Sequence, residues 1–163
     1  RYRNLSLSFL IDVRYGGVMY SGTVSDLRVN GMAEETIGKN RTDIVDKGVK
    51  QDGTENTTAI TPYQFWSNNY SSKVSEANVF DATFVKLREM VLSYQMPQRW
   101  FKNCFIGSLA LGVEGRNLWL MKSNVPHIDP ETNIFGPSAV GSGVEYSAIP
   151  TTRSWGFNIK LTF

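Results

Sequence analysis

The chain has 163 residues, enough for about one ordinary domain, and its net charge of +2 is close to neutral. So small a charge gives no basic field of the kind that nucleic-acid binding needs, and no nucleic-acid partner is predicted. One cysteine and one histidine exclude an internal disulfide and a zinc site made of these two residue types alone, and no apolar run reaches the ~18 residues of a membrane-spanning helix.

The first predicted element is a strand over residues 5–14, preceded by a short polar turn at residues 2–4. Apolar and polar side chains alternate along it, and alternate side chains of a strand point to opposite faces. One face carries Leu5, Leu7, Phe9, Ile11 and Val13, whereas the other carries Ser6, Ser8, Leu10, Asp12 and Arg14. The sequence begins within this pattern and without a methionine, which predicts a piece of a longer chain.

The next stretch, from residue 16 to about residue 80, loses this alternation. It is rich in Gly, Asn, Thr and Ser, and only short helices are predicted, around residues 25–28 or 32–36. A second unpatterned stretch covers residues 122–150. Connections longer than about 15 residues are uncommon in compact domains and are usually functional or disordered.

Three further strands are predicted, over residues 83–96, 105–121 and 153–163. In the second strand of the chain, Lys86 and Arg88 interrupt an apolar row that includes Phe84. Either a β-bulge shifts the parity there, or these two cations lie outside the apolar zone. The last strand, RSWGFNIKLTF, has one apolar face formed by Trp155, Phe157, Ile159, Leu161 and Phe163.

These elements predict an all-β fold, a segment of an antiparallel transmembrane β-barrel with long extracellular loops. Short turns on one side and long loops on the other are typical of such barrels, whose alternating strands of about 10 residues escape a search for apolar helices. Aromatic residues mark both ends of the apolar rows, as in interfacial belts. Tyr15, Phe84, Trp119 and Trp155 are expected at the long-loop ends, and Tyr94, Trp100, Phe101 and Phe163 at the short-turn ends.

Four blocks resemble the closing strands of SusC/RagA-type TonB-dependent outer-membrane transporters of Bacteroidetes. They are FVKLREMVLSYQMPQRW, SLALGVEGRNLWL, NVPHIDPE and GVEYSAIPTTRSWGFNIKLTF, and they occur in the order of the family. The resemblance covers essentially the whole chain. Val91, where a small polar residue is usual, and Cys104 are minor departures.

The resemblance implies that residues 1–163 are the C-terminal part of a large plugged barrel, its last four or so of about 22 strands, without the plug domain and the TonB box. It implies uptake of oligosaccharides or peptides with a SusD-like surface lipoprotein, while TonB acts through N-terminal regions absent from this chain. The implied location is the bacterial cell outer membrane, with the outer-membrane assembly machinery and lipid or lipopolysaccharide as further partners. No cofactor and no enzymatic activity are predicted.

Three groups of candidate functional residues follow. The first group is predicted to face the lumen, where charges are solvated, ion-paired or in contact with the plug or the solute. It consists of Asp12, Arg14, Glu114, Arg116 and Lys160. The second group is predicted to form an assembly signal, because an apolar edge strand can be captured by strand addition. It consists of Phe157, Ile159, Leu161 and Phe163. The third group consists of loop aromatics with two possible roles. They either stack on sugar rings or pack against neighbouring loops or the lipoprotein, and they are Tyr63, Phe65, Trp66 and Tyr70.

Two alternatives stay open at this point. His127, Asp129 and Glu131 in the HIDPE segment suggest a metal site, but a proline-bearing turn explains them as well, so no metal ligand is predicted. The alternative function is a soluble β-sandwich that packs the apolar rows inside and binds glycans around Trp66.

Overall fold

The computed structural model describes residues 2–37, 43–71, 74–102, 105–136 and 143–163, without the side chains of residues 37 and 69–71, so Cys104 lies outside the described residues. The chain divides into two compact units. The sheet unit comprises Arg1–Tyr15, Thr83–Ser123 and Thr151–Phe163, and the loop unit comprises Gly16–Ala82 and Asn124–Pro150. No helix in these described ranges is both long and apolar enough to cross a membrane.

The regular elements are short in the loop unit and long in the sheet unit. In chain order they are β1 (Leu5–Arg14), β2 (Val18–Ser21), α1 (Gly22–Val29), α2 (Glu34–Ile37), β3 (Ile44–Val45), β4 (Ala59–Ile60), α3 (Pro62–Gln64), a π-helix (Phe65–Ser71), a 3₁₀ turn (Ser75–Asn78), β5 (Val79–Asp81), β6 (Phe84–Gln95), a 3₁₀ turn (Gln98–Trp100), β7 (Ser108–Ser123), β8 (Val144–Glu145) and β9 (Ser154–Thr162).

The sheet unit is a four-stranded antiparallel sheet in the order β1-β6-β7-β9. The four predicted strands are confirmed, and the first has the predicted bounds. The third begins three residues later than expected and ends two residues later. It begins at Ser108, although the amide of the preceding Gly107 already donates to the carbonyl of Thr162 in the neighbouring strand at 2.7 Å.

Antiparallel pairing keeps the apolar side chains of the four strands in phase. Paired residues of antiparallel strands point to the same face. Residues that are paired from one strand to the next therefore form a row across the sheet. Three consecutive rows are Leu5, Tyr94, Leu111 and Ile159; Leu7, Leu92, Val113 and Phe157; and Phe9, Met90, Gly115 and Trp155. We call this side the apolar face and the opposite side the polar face.

Gly115 is the one member of these rows without a side chain. A Cβ at this position would lie 2.9 Å from the ring of Trp155 and 2.6 Å from the side chain of Leu118. The glycine therefore lets the Trp155 indole lie across the neighbouring strand, and the row stays continuous.

A β-bulge interrupts the pairing at Arg88. The register shifts between Leu10 and Ile11 in the β1–β6 pair and between Leu87 and Glu89 in the β6–β7 pair. Of the two explanations for Lys86 and Arg88, the bulge is confirmed.

The bulge also changes the position of Phe84. This residue pairs with Arg14 on the polar face and is buried, so its predicted place in an aromatic belt of the apolar face is wrong. The parity counted from Tyr94 along β6 does not hold beyond the extra residue.

The loop unit is organised around β2, which pairs with β5 antiparallel and with β8 parallel, while β3 and β4 form a separate hairpin. The described parts of the two long connections are therefore folded together. Both predicted helices are present, as α1 and α2. A small core of Met19, Ala82 and Val125, with Phe80 and Ile128 packed against it, holds the unit together.

Glu145 ties the second long connection to the first. Its buried carboxylate accepts hydrogen bonds from the hydroxyls of Ser21 at 2.5 Å and Thr23 at 2.6 Å. The adjacent Tyr146 ring covers Gly22, where a Cβ would lie 2.1 Å from a ring atom. Since a buried carboxylate is tolerated only when it is hydrogen-bonded, these contacts fix β8 beside the junction of β2 and α1.

Candidate functional site

The apolar face of the sheet unit is the first candidate surface. Leu7, Leu111 and Ile159, from three different strands, are 54%, 37% and 68% exposed, so they are not enclosed in a protein core. The face also carries an open concavity of ≈ 530 Å³ lined by Leu92, Phe157 and their neighbours. An apolar surface on four strands exceeds the scattered apolar exposure of soluble proteins and indicates contact with another apolar phase.

All five residues predicted to face a lumen lie on the polar face, by their pairing and the strand alternation. Arg116 forms long ion pairs with Glu89 at 3.8 Å and Glu114 at 3.7 Å. Asp12 is ion-paired with Arg88. The remaining two predicted residues are opposite uncharged partners, Arg14 with Phe84 and Lys160 with Ala110.

The bulge concentrates polar contacts that the sequence did not predict. Lys86 is only 4% exposed, and its ammonium donates to the hydroxyl of Thr151 at 3.1 Å. Arg88 donates to the side-chain oxygen of Asn117 at 3.3 Å, and the Asn117 amide donates to the carbonyl of Thr152 at 3.0 Å. Because burying a cation is costly without such partners, this network stabilises the bulge rather than offering a free binding group.

Arg28, at the end of α1, is the centre of a polar network in the loop unit. Its guanidinium contacts a Glu35 oxygen at 2.6 Å and the carbonyl of Ala77 at 2.7 Å. It also lies 4.5 Å from the ring centre of Trp66 and 5.3 Å from that of Phe80. A planar cation can hydrogen-bond at its edge and stack on its face at once, so this one residue joins four segments of the unit.

Glu35 extends this network to the second long connection. Its other carboxylate oxygen lies 2.6 Å from Nε2 of His127. Burial opposes the ionisation of Glu35, but hydrogen bonds from Arg28, from its own backbone and from His127 outweigh it, and the pKa of Glu35 lies below its ordinary value of 4.5. The carboxylate is thus the charged link between α2 and the turn after residue 125.

The HIDPE segment forms a turn. The Asp129 carboxylate accepts a hydrogen bond from the backbone amide of Glu131, and the Asp129 carbonyl accepts one from Thr132, each at 3.2 Å. His127 contacts Glu35 instead of its neighbours in the segment. Among the described residues, no three His, Cys, Asp or Glu side chains form a group that could hold a metal ion.

The four predicted loop aromatics lie in one stretch, α3 and the π-helix, but their surroundings differ. Trp66 is packed against Arg28 and meets Phe65 edge to face, with ring centres 5.2 Å apart. Tyr63 is 62% exposed and lines an open groove of ≈ 350 Å³ together with Asn30, Thr36, Thr61 and their neighbours. The side chain of Tyr70 lies outside the described part of the chain, and a role of these residues in substrate binding stays a prediction.

Three of the four predicted assembly residues, Phe157, Ile159 and Leu161, lie on the apolar face of β9, an edge strand of the sheet, and Phe163 follows this strand. The apolar row of Phe157, Ile159 and Leu161 is thus on an edge that another strand could pair with, as the prediction requires. Their recognition by assembly machinery stays a prediction.

The Glu35 contacts give the loop unit a predicted pH dependence. Because the folded-state pKa of Glu35 is lowered, its stabilisation is complete above about pH 4.5 and is lost as the pH falls through the folded-state pKa. Amide-exchange protection factors for residues 125–132 should therefore fall on acidification below pH 4.5. Glu35→Gln should show lower protection at neutral pH and a weaker pH dependence, and a dependence equal to that of the wild type would contradict this assignment.

Tyr63 and Trp66 should respond differently to truncation. Trp66→Ala removes the ring beneath Arg28 and should destabilise the loop unit by about 1–3 kcal/mol, less than a fully buried tryptophan would cost. Tyr63→Ala should change its stability by less than about 0.5 kcal/mol, because the ring is exposed. Protease resistance of the loop unit measures both, and equal losses in the two variants would refute the packing role of Trp66.

Comparison with known proteins gives a consistent result. No protein-family model matches the chain. The TonB-dependent receptor P3 of Formosa agariphila is 23% identical over 167 residues, an alignment that covers all of this chain and 15% of that protein. The chain therefore spans only a small part of the length of this relative.

Solved structures of the RagAB peptide importer share the fold. The 'open-open' state matches with a TM-score of 0.59 at 17% identity and the 'closed-closed' state with 0.63 at 18% identity. Each match covers 98% of this chain and 16% of the other. The receptor match along the whole chain and this shared fold support the resemblance of the four sequence blocks to SusC/RagA-type TonB-dependent transporters.

Proposed function

We propose that the chain forms part of the barrel wall and the external loops of a TonB-dependent importer in the bacterial outer membrane. The observation that carries this proposal is the exposed apolar face, continuous across β1, β6, β7 and β9. In this function the chain performs no chemistry on the solute. It separates lipid from an aqueous lumen and contributes loops to the solute path.

The distribution of charge supports a lipid-facing wall. The three apolar rows contain twelve positions and no charged side chain. Asp12, Glu89, Glu114 and Arg116 lie on the polar face instead. An Arg or Lys facing lipid costs about 2–4 kcal/mol at mid-depth, whereas the same residue in a wet lumen costs little.

The open edges of the sheet support continuation into a larger barrel. β1 and β9 are its edge strands and have no strand partner on their outer sides among the described residues. Backbone groups at such an edge cannot remain unpaired in hydrocarbon, because no water is present to satisfy them. We therefore propose that both edges pair with further strands of the same transporter.

The solute and partners are proposed from the resemblance and from the named relatives. RagAB is described as a peptide importer, and the resemblance adds oligosaccharides as a second class of solute. A SusD-like surface lipoprotein is the proposed external partner, and TonB would act through regions outside this chain. Of the loop aromatics, Tyr63 is the best placed to meet a solute, since its ring is exposed beside a groove.

Two adjacent substitutions with the same charge test the wall. Leu7→Lys places a cation on the apolar face, and Ser8→Lys places it on the polar face. In the complete transporter, Leu7→Lys should destabilise the folded barrel by about 2–4 kcal/mol, whereas Ser8→Lys should be nearly neutral. The folded fraction is measured by the gel shift between boiled and unboiled samples of outer membranes.

A transporter without any gel shift would contradict the barrel. Equal effects of the two lysines would contradict the assignment of the faces. The alternative, a soluble glycan-binding β-sandwich, predicts that this chain alone is a soluble monomer with a cooperative melt, whereas the barrel wall predicts aggregation without detergent.

A further inference from the structure

Charge is divided unevenly between the two units of the chain. The sheet unit contains eleven of the seventeen Lys and Arg residues but three of the fifteen Asp and Glu residues, a net charge of +8. The loop unit has six and twelve, a net charge of −6. These opposite charges nearly cancel in the net charge of +2. The kind of ligand that each unit would attract therefore has to be considered separately.

Within the sheet unit, the charges are again divided along the strands. We define the short-turn end as residues 2–8, 91–102, 105–113 and 157–163, which the strand pairing places at one end of the sheet. These described residues include four Lys and Arg side chains and no Asp or Glu side chain. The three carboxylates of the unit, Asp12, Glu89 and Glu114, all lie in the other half and contact Arg88 or Arg116.

Two cations of the short-turn end lie beside an exposed aromatic ring. Arg99 and Lys102 flank the short connection between β6 and β7, and both are exposed. Trp100 lies between them in sequence and is also exposed. The connection is a defined turn, because the amides of Trp100 and Phe101 donate to the carbonyls of Pro97 and Gln98, each at 3.0 Å.

Further aromatic rings lie at the same end of the sheet. Phe105 and Phe163 stack nearly parallel, with ring centres 5.8 Å apart, and both are exposed. Tyr2 is exposed as well, and the Arg3 guanidinium lies 5.5 Å from its ring centre. Aromatic rings with cations beside them are suited to the boundary between hydrocarbon and headgroups, where the rings meet acyl chains and the cations meet phosphate.

We propose that the short-turn end binds the phosphates of anionic phospholipid headgroups through Arg99 and Lys102. The proposal rests on the proposed function, because it needs the apolar face to lie in lipid. The occupant follows from charge complementarity, since four Lys and Arg side chains with no Asp or Glu side chain among them attract anions. The adjoining apolar rows also indicate a phospholipid as the occupant. Its acyl chains would cover these apolar side chains, whereas a free anion would not contact them.

A local measurement tests this site in the complete transporter. In a Cys104→Ser background, Gln98, exposed on the same turn, is replaced by Cys and labelled with bimane. Quenching by brominated phosphatidylglycerol is compared with quenching by brominated phosphatidylcholine. Phosphatidylglycerol should bind several-fold more strongly next to the probe, with a contribution of up to about fivefold per cation that weakens with salt. Arg99→Gln/Lys102→Gln should bring the ratio of the two lipids close to unity.

A matched control removes two cations elsewhere. Lys47→Gln/Lys50→Gln makes the same change of charge in the loop unit and should keep the wild-type preference. Equal quenching by both lipids in the wild type, or an unchanged preference in Arg99→Gln/Lys102→Gln, would overturn the proposed site and leave the barrel wall standing. Loss of the preference on adding inorganic phosphate, but not chloride at equal ionic strength, would identify a free-anion site and overturn the headgroup assignment. Quenching by neither lipid would overturn the proposed wall itself.

Discussion

The in-phase alternation of apolar and polar side chains is the constraint on which the rest of the molecule depends. A shift of one residue in any strand pair would turn that strand's apolar row to the polar face. The pairing of β1, β6, β7 and β9 avoids this, so that Leu7, Leu92, Val113 and Phe157 form one row across four strands. One side of the sheet is thereby suited to hydrocarbon and the other to water, and the proposed wall follows from that separation.

The bulge at Arg88 is where the alternation is reset. Beyond it, Lys86 pairs with Asp12 and Phe84 pairs with Arg14, so residues of the apolar parity move to the polar face. The contacts of Arg88 with Asp12 and Asn117 stabilise the extra residue. Lys86 and Arg88 interrupt the apolar pattern of the sequence. The bulge keeps both cations away from the apolar face, where each would cost free energy in contact with lipid.

The sheet could be predicted from the sequence, whereas only two short helices of the loop unit could be. Apolar side chains at every second position predict the strands. The sequence predicts β1 with its observed bounds, because Leu5 to Arg14 alternates without a break. The loop unit is held by single contacts between distant residues, such as Glu145 with Ser21 and Glu35 with His127. Such contacts leave no local period, and neither Arg28 nor Glu145 stands out in a polar stretch before its partners are known. The sequence pattern misplaces Phe84 for a related reason, since an extra residue in a strand changes the parity without changing the composition.

The measurement that tests the central claim most directly is a spin-label scan along β9 in the reconstituted transporter. Collisions with oxygen, which dissolves in hydrocarbon, and with a water-soluble nickel complex would be compared from Trp155 to Leu161. The account predicts oxygen maxima at Trp155, Phe157, Ile159 and Leu161 and nickel maxima at Gly156, Asn158 and Lys160. Low collision rates with both reagents at the apolar positions would mean that these side chains are enclosed in protein, and would contradict the account.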